Sequence, residues 1–349
     1  MAVDLSKLVS KRKLLLDELS GKTIAIDAYN FLYQFLAIIR QPDGTPLTDA
    51  HGAVTSHLSG IFFRSIDIIA KGIKPIYVFD GVPSMLKQKT IEARMNRREE
   101  AYREWQVAKE AGNVEQARAH AMASTRVTKE IVKSAKDLLD LMGIGYVNAP
   151  SEGEAQASYM CRKGFVYATA SQDYDTMLFA SPVVIRNLTF SGRRKLPNKN
   201  VYVNVEPELV SLEDTLNGLK LTQRQLIWVG ILLGTDFNSG IKGIGPKTAI
   251  KIVKSVSSMA ELKSVVSSKY GQEFDVAPEE VEALFMKPEV KDLSGEEMQK
   301  LASKIPNRAN LVKFLCDDHG FSRERIEKYA GILEQSETAL RQKTITKWF

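Results

Sequence analysis

Short apolar runs, each closed by a turn residue or an acid, recur through the first half of the chain. Thr23-Ile24-Ala25-Ile26, bounded by Gly21 and Asp27, reads as a buried strand. Residues 75–79, which end at Asp80-Gly81, read the same way, as do 145–147, 166–169 and 183–185. Helical patterns over 30–39, 51–71, 129–142 and 154–162 separate them. Strands alternating with helices predict an α/β fold with a mostly parallel central sheet and helices on both faces. Residues 187–205 contain Ser191-Gly192 and Pro197-Asn198 and read as a β-hairpin excursion. From Thr222 onward the pattern is helical, over 222–233, 246–256, 278–285, 294–303 and 307–319. The last fifteen or so residues read as a mobile tail. Residues 84–123 are polar and helical in composition without a strong apolar stripe. They form either a helix pair projecting from the body or a solvated linker.

Composition narrows the class. A chain of 349 residues has room for one large domain or two ordinary ones. With 44% hydrophobic and 26% charged residues, disordered and fibrous classes are excluded. No stretch approaches the roughly eighteen apolar residues of a membrane span, and the first residues lack signal-peptide order. Cys161 and Cys316 are far apart, so neither a disulfide framework nor a cysteine metal site is expected. An intracellular protein without membrane partners is the expectation. Lys and Arg number 48 against 42 Asp and Glu, a net +6 that suits a polyanion. Residues 240–260 hold Lys242, Lys247, Lys251 and Lys254 and no acid. Charge runs are often only solvated faces, so this alone weighs little.

The acids carry the sharper signal. Asp27 closes the first strand and Asp80 the second. Glu152 and Glu154 follow the third, and Asp173 and Asp175 the fourth. Asp236 follows a hydrophobic helix. In an open parallel sheet, ligands bind beyond the carboxyl ends of the strands. Seven carboxylates in one cleft would repel, raising several pKa values unless hard divalent cations sit among them. Two Mg²⁺ ions about 4 Å apart would stabilise both the attacking and the leaving oxygen of a phosphoryl displacement. The competing explanation makes each acid a helix N-cap or loop residue. It fits any one acid but fits poorly a placement repeated at four strand ends.

Other chemistry is poorly supported. His51, His57, His120 and His319 lack metal-ligand spacing. Residues 240–249 resemble a phosphate loop, but Pro246 separates glycine from Lys247 and no strand precedes it. Gly240, Gly243 and Gly245 read instead as a turn between two helices. Pro246 starts the second helix, whose N-terminus, with Lys242, Lys247 and Lys251, suits a DNA phosphate. An ordinary packing turn is the alternative.

Taken together, Ile26-Asp27-Ala28, Val78-Phe79-Asp80-Gly81, residues 150–157, Ser171–Asp175, Leu233–Asp236 and residues 240–249 resemble the flap endonucleases of the XPG-type structure-specific 5′-nuclease superfamily. The resemblance runs essentially the whole chain. It implies a PIN-like nuclease core over 1–262, including a helical arch at 84–130 and a helix–two-turn–helix at 222–260. A helical region at 263–334 and a flexible tail at 335–349 would follow. By resemblance, Lys87 and Arg94 engage the scissile phosphate at the arch base, and their spacing of seven puts both on one helix face. Tyr33 stacks on the terminal base, and Arg40 and Arg64 lie near the DNA-binding surface. Asp80 and Glu154 join the catalytic set. The resemblance further implies that Mn²⁺ substitutes for Mg²⁺ and that K⁺ joins the helix–two-turn–helix to a duplex phosphate. Ala2 departs from the Met-Gly start of many members, which puts any role of a processed N-terminal amine in doubt.

Gln342, Ile345, Trp348 and Phe349 resemble a sliding-clamp (PCNA) interaction box. The absence of a basic extension after it points to an archaeal source, hence the cytoplasm. The implied function is a metal-dependent 5′ flap endonuclease with 5′–3′ exonuclease activity, acting as a monomer apart from the clamp. A related repair exonuclease and a non-cutting junction binder are the rivals.

Overall fold

A computed structural model describes residues 3–188, 192–195 and 202–345, and the side chains of 3–188 and 205–339. Nine strands are described: β1 (Lys11–Lys13), β2 (Thr23–Asp27), β3 (Lys74–Phe79), β4 (Tyr146–Asn148), β5 (Ala168–Ala170), β6 (Val183–Arg186), β7 (Gly192–Lys195), β8 (Tyr202–Val205) and β9 (Glu208–Ser211). The chain folds into two compact units, each drawing on three stretches of sequence. The first comprises Met1–Leu14, Asp80–Glu92 and Asn148–Asp292, and the second Leu15–Phe79, Ala93–Val147 and Leu293–Phe349.

In the first unit the strand order is β1-β9-β6-β5. β5 and β6 run parallel, while β9 is antiparallel to both β6 and β1. The sequence reading missed β1 and β9. β1 is Lys-Arg-Lys, fully exposed, and its strand identity comes from pairing with β9 rather than from any apolar pattern. The core of this unit is built on the helix Gln223–Leu233, whose Leu226, Ile227, Val229, Ile231 and Leu232 are inaccessible to solvent. Thr222 and Gln225 form a capping box at its start, so the expected helix begins where its sequence signal places it. Helices Leu212–Leu219 and Met259–Tyr270 were also missed. β7 and β8 pair antiparallel, as the hairpin reading expects.

In the second unit the order is β2-β3-β4, with β2 and β3 parallel and Asp27 opposite Val78. Ile24, Ala25 and Ile26 are fully buried, as a near-continuous apolar run in a parallel strand requires. The helix expected from residue 51 starts at Ser56, because Asp49 accepts the His51 and Ala53 amides and holds those residues in a turn. The polar segment does fold as two helices, Gln88–Glu110 and Val114–Ala123. They bury only Trp105, Ala108, Ala117 and Ala121 as a cluster of their own. Residues 313–318 form a π-helix where an α-helix was expected. A 23-residue helix, Arg323–Ile345, runs into the segment expected to be a flexible tail. No described helix is long and apolar enough to cross a membrane.

Candidate active site

Six of the seven acids belong to the first unit, and its backbone brings several of them together. Gly81 donates to the Ser151 carbonyl at 2.7 Å, and Val82 to that of Pro150 at 3.0 Å. A Cβ on Gly81 would meet the Ala149 carbonyl oxygen at 2.2 Å, so this approach requires glycine. The approach lets Asp80 accept the Gly153 amide at 2.7 Å, at the start of the helix Gly153–Arg162.

Glu152 occupies the N-cap position of that helix but makes no capping bond. Its Oε2 accepts from Lys87 Nζ at 2.5 Å, and the same ammonium lies 3.4 Å from Asp236. Asp236 lies within a loop fixed by Thr235 and Asn238, whose side chains bond at 2.8 Å while Asn238 donates to the Ile231 carbonyl. Glu154 accepts from Ser171 at 2.9 Å. Asp175 opens the short helix Asp175–Leu178 and accepts the Val3 amide at 3.0 Å. Arg186 supports the neighbouring loop from behind. It donates to the Gln172 carbonyl and lies 4.2 Å from the Tyr174 ring centre.

The electrostatics follow from this crowding. Burial, with Glu152 beside it and Lys87 opposing, pushes Asp80 up to about 6. Burial, then Asp236, push Asp175 up to about 7 despite the Val3 amide. Burial alone would lower the Lys87 pKa, but Glu152, Asp236 and Asp80 outweigh it and hold the ammonium firmly protonated. N-capping therefore does not explain Glu152, and Asp175 is held across 172 residues of sequence. Asp27, in the second unit, does behave as a cap: buried at the end of β2, it accepts the Asn30 amide at 3.0 Å.

The donor set suits a hard cation: buried carboxylate oxygens, two of them reluctant to ionise together. Among the described residues, no three His, Cys, Asp or Glu side chains are close enough to be recognised as a metal-holding group. Lys87 supplies the positive charge between Glu152 and Asp236. It lies in the turn Met85–Lys87, just ahead of the helix Gln88–Glu110 that carries Arg94, so the two do not share one helix as expected.

The remaining residues divide. In the first unit, Lys242, Lys247 and Lys251 are exposed, while Ile241 and Ile244 anchor the glycine turn in the core. Gln272 pins the turn through both the amide and the carbonyl of Lys242, and Asp275 holds Ser239. Neither residue is marked by a sequence motif. In the second unit, Arg40 is partly buried and bound internally, to the Leu36 and Gly44 carbonyls at 2.7 Å each and to Thr125 at 3.0 Å. Those bonds make it a strut between chain segments. Arg64 pairs with Asp67 at 3.4 Å on the surface. Tyr33 is half-buried against Arg98. Ala2, Trp348, Phe349 and the side chains of Gln342 and Ile345 lie outside the described residues.

Buried acids gathered beside a lysine at the edge of an α/β scaffold suit the handling of a phosphodiester. Comparison with known proteins makes the class specific. The XPG N-terminal domain matches residues 1–101 and the XPG I-region residues 143–236. Flap endonuclease 1 of Pyrococcus furiosus is 47% identical over 350 residues, covering 100% of this chain and 99% of that protein. Flap endonuclease 1 of Aeropyrum pernix is 47% identical over 357 residues, covering both chains fully. Among solved structures, flap endonuclease-1 from Methanococcus jannaschii matches with a TM-score of 0.73 and 37% identity, over 97% of this chain and 99% of that one. The catalytic core of Rad2 in complex with DNA substrate shares the fold, with a TM-score of 0.68 at 24% identity over 95% and 100% of the two chains. This chain belongs to the XPG-type flap endonuclease family and is a structure-specific 5′ nuclease. Nucleases of this family depend on divalent metal.

Proposed function

We propose that the first unit's acid cluster holds two Mg²⁺ ions and hydrolyses phosphodiesters where a 5′ single-stranded flap meets duplex DNA. The observation that carries this reading is the Lys87 ammonium held between buried Glu152 and Asp236. Such a cluster demands positive charge. Asp80, Glu152, Glu154, Asp173, Asp175 and Asp236, with Asp27, are the residues that would hold the cations directly or through water. Bound ions, Mn²⁺ included, would supply Lewis acidity and neutralise charge on the phosphate.

The chain's own groups do the rest. Asp80 orients the Gly153 amide and the following helix. Lys87 would offer its ammonium to the scissile phosphate, with Arg94 as the second donor. Tyr33 stacks on the terminal base. Gly240, Gly243 and Gly245 open the backbone of the turn. Lys242, Lys247, Lys251 and the first-turn amides of the helix Pro246–Lys254 would grip duplex phosphates, and the same turn would hold K⁺. Arg40 and Arg64 would add positive charge toward the DNA.

In functional terms the nuclease core is 1–262, with the arch at 84–130 passing the flap. Residues 263–334 support the core, and 335–349 carry the clamp motif. The enzyme works as a monomer that joins a sliding clamp through Gln342, Ile345, Trp348 and Phe349. A cytoplasmic location belongs to the same proposal, supported by the archaeal flap endonucleases that the chain resembles.

Incubating a labelled flap substrate with Mg²⁺ and sizing the products tests the reading. Cleavage near the junction is expected, abolished in Asp80→Asn with flap binding retained. Lys87→Ala should lower the single-turnover rate by about 10²–10³. Binding without cleavage by the unaltered chain would support a junction binder instead, and near-normal turnover by Asp80→Asn would remove that acid from the site.

A further inference from the structure

Tyr33 is held at two points by one side chain of the polar helical segment. Arg98 donates from a guanidinium nitrogen to the Tyr33 hydroxyl at 2.9 Å, and its Cζ stands 4.5 Å from the ring centre. Tyr33 sits on the helix Ala28–Ile38, which Asp27 caps, and Arg98 on Gln88–Glu110. Both side chains are half-buried. A tyrosine ring turns about two bonds. A hydrogen bond at its tip together with a planar cation against its face fixes both.

We infer that Arg98 is a positioning residue that sets the ring plane of Tyr33, and so links the order of the arch to capture of the terminal base. The inference rests on the proposed stacking role of Tyr33. Lysine cannot reproduce the hold, because it lacks the flat fork that both stacks and donates sideways. Phenylalanine at position 33 keeps the ring but loses the tip contact. The two residues should therefore behave as one unit.

The test uses a flap substrate with 2-aminopurine at the terminal pair, Ca²⁺ in place of Mg²⁺ for binding, and Mg²⁺ for single-turnover rates. Tyr33→Ala should remove the stacking quench. Arg98→Ala should weaken the stacked state by about two- to fivefold, the strength of an exposed cation–π contact. It should lower the cleavage rate more than the flap affinity. Arg98→Lys should not restore the quench. Tyr33→Phe combined with Arg98→Ala should lose no more than the larger single change. If Tyr33→Ala leaves the quench intact, the stacking reading itself fails. If Tyr33→Ala removes it but Arg98→Ala leaves it unchanged or deepens it, Arg98 does not position the ring, and the stacking reading survives.

Discussion

At Lys87, one ammonium answers Glu152 at 2.5 Å and Asp236 at 3.4 Å, while Asp80 and Asp175 meet the same crowding by losing their protons only at higher pH. A carboxyl whose folded pKa lies above its unfolded value makes the native state bind more protons than the unfolded one. The stability it contributes is complete below the unfolded value of 3.8 and is lost as pH rises through about 7 for Asp175 and about 6 for Asp80. In chelator, the melting temperature should therefore fall between about pH 4 and 7. Asp175→Asn should flatten that fall and raise the melting temperature at pH 7, since its side-chain oxygen can still accept the Val3 amide. Calorimetric melts at several pH values check this, and an unchanged slope would mean that Asp175 ionises freely. The acids themselves were legible in the sequence because strand ends are legible. Their partners were not. Nothing local shows that Ser171 reaches Glu154 or that the Val3 amide reaches Asp175, since both contacts exist only after folding. The hydrogen bonds of Arg40 were hidden for the same reason: its acceptor Thr125 lies 85 residues away.

The turn between helices Gln223–Leu233 and Pro246–Lys254 shows what an element adds. A Cβ on Gly240 would meet the Gly234 amide nitrogen at 2.5 Å, so the glycine permits backbone to lie on backbone. Ile241 and Ile244 bury themselves, Gln272 and Asp275 hold the loop, and the lysines are left outside. The packing turn and the phosphate anchor are thus two sides of one element, which a one-dimensional reading posed as alternatives. If Lys247 and Lys251 each neutralise a phosphate, changing both to Ala should flatten the plot of log K against log salt by about two. The loss should be the same for any duplex sequence, because the contacts are to the backbone. Titrations at several salt concentrations decide it, and a retained slope would leave the turn a purely internal joint. What escaped the sequence at this scale were elements without a pattern of their own. β1 is three exposed basic residues, and Met259–Tyr270 spreads its apolar positions with little amphipathic bias.

Across the whole molecule, the chain visits each unit three times, so sequence distance says little about function. Asp80, Glu152, Glu154, Asp173, Asp175 and Asp236 all lie in stretches assigned to the first unit, whereas residues from Leu293 onward belong to the second. In the helix Arg323–Ile345, Ile326, Ala330 and Leu333 are buried at helical spacing, and from 334 to 339 no described residue is buried. Leu333 is thus the last buried position among the described side chains of this helix, which extend to residue 339. In sequence, the proposed clamp motif follows both the last of the candidate acids, Asp236, and Leu333. Removing residues 342–349 should leave the melting temperature and unassisted flap cleavage unchanged, while stimulation by a sliding clamp is largely lost. Trp348→Ala with Phe349→Ala should reproduce the deletion, because large aromatic anchors carry most of the energy at such interfaces. Calorimetric titration of clamp into each variant provides the direct reading. Full affinity in the double variant would place the clamp contact on the body of the enzyme, and a lowered melting temperature on truncation would show that the helix depends on its last turns.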